Sequence, residues 1–248
     1  MNSIDNVLAS RYASESMREI WAPEAKIRLE RQLWIAVMRA QQELGISIPK
    51  GIPEKYEAVI DTVNLESIAE RERVTKHDVK ARIEEFNDLA GAEHIHLGMT
   101  SRDLTENVEQ LQIRLSLIVT RDKSIAALDR LSGLAVAYSE LAMAGRSHNV
   151  AAQITTLGKR MATFAEELLF AVERLEELID AYPLRGIKGP VGTAQDMHTL
   201  LNGNAEALLA LESRVAAHLG FNNLFTSVGQ VYPRSLDFEV TALLVQLA

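Results

Sequence analysis

Residues 145–160 read GRSHNVAAQITTLGKR, and Arg146, Ser147, His148, Asn149, Gln153, Thr155, Thr156 and Lys159 crowd into this one stretch. The apolar positions around it keep a helical rhythm. After it, Leu157, Met161, Phe164, Leu168, Ala171, Leu175 and Leu178 alternate steps of four and three. Before it, Leu104, Val108, Leu111, Leu115 and Ile118 do the same. That alternation belongs to long helices packed nearly parallel. A polar insertion this dense is hard to place in a core, because each buried polar group needs a partner. The stretch is therefore expected to wall a site for an anionic substrate. His148 is the group in it suited to moving a proton near neutral pH.

The remaining punctuation supports long helices. The helix from Leu104 is expected to continue toward Tyr138, weakened at Gly133, and the helix from Leu157 to end before Tyr182-Pro183. A third runs from about Ala205 to Leu219, with Gly220 as its C-terminal cap. A fourth starts near Leu236 and is still running at Ala248. The first hundred residues carry shorter helices, 24–44, 54–59, 65–73 and 78–89, separated by IPKGIP and polar turns. No strand pattern, repeat or low-complexity segment stands out. The expected fold class is all-α: a small helical N-terminal domain, 1–103, then a long-helix bundle, 104–248. The last helix, VTALLVQLA, carries no stop signal, so a truncated bundle whose remaining partners lie outside this sequence is expected.

The net charge of −8 argues against general nucleic-acid binding, since no excess of Lys and Arg is present to neutralise phosphates. It leaves room for a local basic pocket. The absence of cysteine removes disulfide, iron–sulfur and thiol chemistry. The N-terminus lacks a signal-peptide pattern, and no apolar run approaches the roughly 20 residues of a membrane span. A cytoplasmic protein with no membrane partner is expected.

Polar clusters interrupt the helices at Arg11-Tyr12, at Lys76-His77-Asp78, at residues 94–103 (HIHLGMTSRD), at residues 145–160 and at Gly229–Arg234, which includes Gln230. They combine cations and hydroxyls suited to phosphate and carboxylate with histidines suited to proton transfer. Each has a plainer reading. Thr100-Ser101 with Asp103 suits a helix cap as well as a binding loop. Lys76-His77-Asp78 alone suits a solvated helix start, and His148 alone suits a hydrogen-bonded structural histidine. Glu93 and His96 have the spacing of a carboxylate–histidine metal pair, but no second such pair follows. No metal or cofactor is expected.

Order and spacing of the clusters resemble the adenylosuccinate lyase family of the fumarase/aspartase superfamily. ASRYAS at 9–14, TKHDVKARIEEF at 75–86, HIHLGMTSRDLTEN at 94–107, GRSHNVAAQITTLGKR, RGIKGPVGT at 185–193 and GQVYPRSLD at 229–237 carry the resemblance. The TS-D and GR-H patterns are shared across the superfamily, whereas the RYAS, KHDV and GQxYxR pieces point to this member. Ser147 stands where threonine is common and keeps the hydroxyl. Val150 stands where glutamine is common. The family's loop SSxMPxKxNP, with a catalytic serine and a lysine, has no match here.

The resemblance implies β-elimination of fumarate from adenylosuccinate and from SAICAR. It assigns His148 as general acid and His77 as a binding and orienting group. It places Thr100, Ser101 and Ser147 as donors to a carboxylate, and Arg11 and Tyr12 at the phosphate. Lys76 and Asp78 stand beside His77, and Gln230 and Arg234 grip the substrate. It also implies a homotetramer for the full-length protein. The alternatives are another superfamily lyase, such as argininosuccinate lyase or a cycloisomerase, and a non-catalytic helical scaffold. The KHDV and RYAS segments argue against the first, and the presence of His148, Thr100, Ser101 and Gln230 against the second.

Overall fold

The computed structural model describes residues 6–248. A π-helical turn at Leu8–Tyr12 leads into α1 (Glu15–Trp21), α2 (Pro23–Glu43), α3 (Ile52–Glu57), α4 (Leu65–Thr75), α5 (Asp78–Ala90) and α6 (Ser101–Ala137). The strands β1 (Ala142–Ser147) and β2 (Val150–Thr156) follow, then α7 (Leu157–Ala181), β3 (Pro183–Leu184), α8 (Gln195–Leu200), α9 (Ala205–His218), β4 (Asn223–Leu224) and α10 (Ser235–Leu247). The fold is all-α apart from two small two-stranded sheets, and the expected helices are present at close to the expected bounds.

Local sequence explains several helix ends. Pro23 opens α2, where a missing N–H does no harm. Asn64, His77 and Asn204 cap α4, α5 and α9 by accepting a backbone N–H three residues on. Gly91 closes α5 in the left-handed region that glycine tolerates.

One expectation is corrected. The polar stretch 145–160 is expected to interrupt the helices with no strand pattern, yet residues 142–147 and 150–156 are extended. They form an antiparallel hairpin, with Ala142 opposite Thr156 and Ser147 opposite Val150. Its two-residue turn is His148-Asn149, both at positive φ (50° and 62°). Two-residue hairpins favour such turns because their twist matches the strands. Most of the hairpin's residues are exposed, so its polar groups face solvent and the core argument does not apply to them.

The chain packs as two compact units. The first takes residues up to Leu115 together with Tyr182–Pro233; the second takes Ser116–Ala181 and Arg234–Ala248. Within the first unit the segment after α7 returns to pack with the N-terminal helices, α9 lying on α2.

In the first unit, Trp34, Tyr56 and Phe86 are fully buried. Phe86 meets Tyr56 edge-on at 4.9 Å and Trp34 at 6.2 Å. The buried Arg31 lies 4.5 Å over the Phe86 ring and pairs with Glu85 at 2.6 Å. In the second unit, α7 packs on α10. Gly158 there sits so close to the Ala135 carbonyl and Ser139 that a Cβ would collide with backbone.

Candidate active site

The N-terminus of α6 is built on buried polar groups. Asp103, Glu106, Asn107 and Gln110 fall on one helical face and are all buried. Each reads backbone from a distant loop. Gln110 donates to the Pro183 carbonyl (3.0 Å) and accepts from the Arg185 N–H (2.7 Å). Asn107 donates to the Gly186 carbonyl and accepts from its N–H, both at 2.9 Å. Glu106 accepts from the Tyr232 N–H at 3.1 Å. Asp103 accepts from the N–H groups of Lys188 (2.9 Å), Gly189 (3.0 Å) and Thr100 (2.8 Å), and from Arg185 Nη1 (2.6 Å). Nearby, Lys188 and Glu212 form a buried pair at 2.8 Å. Burial raises the Glu212 carboxyl, and the Lys188 bond offsets part of that rise.

This frame holds Thr100 and Ser101 at the helix start. Ser101 Oγ lies 3.4 Å from His77 Nε2. The Nδ1 of His77 accepts the Lys80 N–H at 3.3 Å as the α5 cap. An accepting Nδ1 puts the proton of the neutral ring on Nε2, so His77 donates to Ser101 and leaves the hydroxyl hydrogen free for another acceptor. Asp78 Oδ1 stands 3.7 Å from Nδ1. Burial pushes the Asp78 carboxyl up, but the guanidinium of Arg82, bonded at 2.6 Å, the Val79 N–H and His77 together outweigh it and hold the group below its ordinary range. His77, Asp78 and Ser101 line a cleft of about 560 Å³ with Lys26, Arg102 and Thr105.

The other expected residues are not among those lining this cleft. Arg11 and Tyr12 are exposed on the π-helical turn. Lys76 is exposed at the left-handed C-cap of α4. Gln230 is exposed in the loop before Tyr232 and belongs to the first unit, whereas Arg234 begins the second, 3.6 Å from Asp237. Also in the second unit, Ser147 and His148 are exposed on the hairpin. Ser147 lines a concavity of about 720 Å³ with Arg146, Gln153, Thr155, Lys159 and Arg160. Its three cations suit an anion. His148 is at the hairpin tip and is not among the lining residues.

Sequence reasoning missed the part played by Asp103 and Arg185. The signal was present: four polar side chains at helical spacing on α6 mark a buried polar face once a loop with free backbone N–H and carbonyl groups is available to meet it. His96, in turn, is structural. It accepts the Trp34 indole N–H at Nδ1 (3.0 Å), and burial lowers it to about 4.

A protein-family model described as lyase matches residues 7–229. The chain belongs to this lyase family, within the fumarase/aspartase superfamily. It is similar to the adenylosuccinate lyase of Saccharomyces cerevisiae, 33% identical over 246 residues, covering 97% of this chain and 51% of that protein. That of Methanocaldococcus jannaschii is 33% identical over 243 residues, covering 96% of this chain and 51% of the relative. The chain spans about half the length of the curated relatives it matches. Two solved structures share the fold. A fumarate lyase from Mesorhizobium sp. BNC1 has TM-score 0.76 and 22% identity, covering 95% of this chain and 54% of that one. A β-carboxy-cis,cis-muconate cycloisomerase from Acinetobacter calcoaceticus has TM-score 0.78 and 18% identity, covering 97% and 56%. Among the described residues no helix is long and apolar enough to cross a membrane.

Proposed function

We propose that this chain supplies part of the active site of an adenylosuccinate lyase. The reaction removes fumarate from adenylosuccinate to leave AMP, and from SAICAR to leave AICAR, in purine biosynthesis. The observation that carries the reading is the 3.4 Å approach of His77 to Ser101 in the cleft beside Lys26. It joins the KHDV segment, which points to this family member, to the TSRD segment shared across the superfamily. The curated relatives, about a third identical, support the same choice.

In this mechanism a base takes the proton from the carbon next to a substrate carboxylate. The C–H electron pair becomes the C=C bond of fumarate as the C–N bond breaks. The departing purine nitrogen leaves poorly as an anion, so His148 gives it a proton. Thr100, Ser101 and Ser147 donate to the carboxylate that carries the developing charge, which stabilises the transition state more than the ground state. His77 orients Ser101, with Lys76 and Asp78 beside it. Arg11 and Tyr12 take the phosphate, and Gln230 and Arg234 grip the rest of the substrate. In the family the base is a serine of the loop SSxMPxKxNP, for which residues 1–248 offer no match. A cytoplasmic homotetramer, with domains 1–103 and 104–248 in each subunit, belongs to the same proposal.

Fumarate release, followed by its ultraviolet absorbance, tests the reading in a protein extended to the length of the relatives. Release from adenylosuccinate is expected. Release from argininosuccinate alone would sink it. The 248-residue chain by itself is expected to show negligible turnover; normal turnover would disprove the missing-base argument.

A further inference from the structure

Two loops that carry proposed substrate contacts, Thr100-Ser101 and Gln230, lie far apart in sequence. One buried side chain ties them together. The side chain of Arg185 is fully buried. Its Nη1 donates to Asp103 Oδ1 at 2.6 Å, and Asp103 Oδ2 in turn accepts the Thr100 N–H at 2.8 Å. Its Nη2 donates to the Gly229 carbonyl at 3.0 Å, one residue before Gln230, and to the Gly189 carbonyl at 3.1 Å. A guanidinium can do this because its donors form a rigid fork aimed in several directions. An arginine kept only to balance the Asp103 charge would not need its second arm on the Gln230 loop.

We infer that Arg185 is a positioning residue of the proposed lyase site, setting Gln230 against Thr100 and Ser101 through its bonds to Gly229 and Asp103. The inference rests on the reading above, in which those three residues grip the substrate. Arg185 touches no substrate. It fixes the span between donors on two loops, and donor placement enters the rate and the affinity steeply.

The test uses the 248-residue chain, backbone amide NMR and titration with fumarate. Arg185→Lys keeps the charge facing Asp103, but one ammonium cannot also reach Gly189 and Gly229. Arg185→Met removes both arms. In Arg185→Lys the Gln230 amide is expected to move while Ser101 stays near its original shift. In Arg185→Met both move. The hairpin amides, 142–156, stay in place in both variants. A charge-balancing role predicts instead that lysine restores both loops, so an unmoved Gln230 amide in folded Arg185→Lys overturns the inference. If Arg185→Met does not fold, the lysine variant decides. Fumarate affinity is expected to fall on the order of tenfold in Arg185→Lys, and unchanged affinity also overturns the inference. If the unsubstituted chain shows no fumarate-dependent shift at Ser101 or Gln230, the substrate reading fails. The link between the loops is then judged by the ligand-free amides alone.

Discussion

Along the first turns of α6, Asp103, Glu106, Asn107 and Gln110 are buried. Along the hairpin, Arg146, Ser147, His148 and Gln153 are exposed. Both stretches are dense in polar side chains. The first is met by backbone groups of residues 183–189 and by the Tyr232 N–H, so its polarity is consumed within the fold. The second is left largely exposed, with Arg146 bonded only locally, to the Asn149 carbonyl at 3.2 Å. Polar density therefore marks a demand for partners, and only the packing shows whether the chain supplies them.

The comparison can be broken most forcefully at Asp103. Removing one partner of a buried ion pair strands the other charge, so Asp103→Ala should cost about 3–5 kcal/mol in a urea unfolding experiment. A loss below about 1 kcal/mol, the range of exposed pairs, would mean that this face is not the frame described.

Next in size are two buried titrations of opposite sign in the first unit. Burial raises Glu30 to about 7, against the lowering pull of Arg82 2.9 Å away. Its folded value lies above its unfolded one, so its stabilising effect is present at low pH and is lost as pH rises from about 4.5 to 7. His96, lowered to about 4, does the reverse: its effect is lost as pH falls from 6.5 to about 4. Each is worth about 3 kcal/mol at most. The two slopes oppose each other through the acid range, so the parent chain should show a nearly flat stability between them. Glu30→Gln should expose the His96 slope, with unfolding free energy rising with pH. A flat profile in that variant would refute the assignment.

Asn107→Ala, which leaves both backbone groups of Gly186 without their partner, should lose about 1–3 kcal/mol. On the other side of the comparison, Ser147→Ala and His148→Gln should change stability by no more than about 0.5 kcal/mol. In the extended protein the same two substitutions should impair fumarate release, His148→Gln by roughly 100-fold or more if it removes the general acid. A large stability loss at either position, read by thermal melting, would place the hairpin with the frame and erase the contrast. Asn149→Gly sharpens the contrast most gently. It should stabilise the hairpin by a few tenths of a kcal/mol, because φ of 62° suits glycine better than asparagine.

The helices were legible because their signals are local. The four-three spacing from Leu157 and the run from Leu104 each declare a helix without reference to anything else. The hairpin was not legible. Its first strand, AMAGRS, has no β-branched residue, and its turn is His-Asn, not the Asn-Gly that announces a two-residue loop. The candidate site was half legible. His77 and Ser101 were both singled out, and they meet. That His77 also caps α5, which fixes which nitrogen faces Ser101, could not be read from the residues. Asp103 was legible as a cap, which it is for Thr100, and Arg185 was quoted without a role.

The sequence by itself determined the helical class, the approximate helix bounds, and the family through its motifs. These depend on contacts a few residues apart or on the identity and order of side chains. Only the tertiary structure decided that the polar face of α6 is spent on residues 183–189 and Tyr232, that much of the most polar stretch of the chain is an exposed hairpin, and that Arg185 links two loops. A polar side chain states how many partners it needs, but which distant backbone or ligand supplies them is fixed only when the chain has folded.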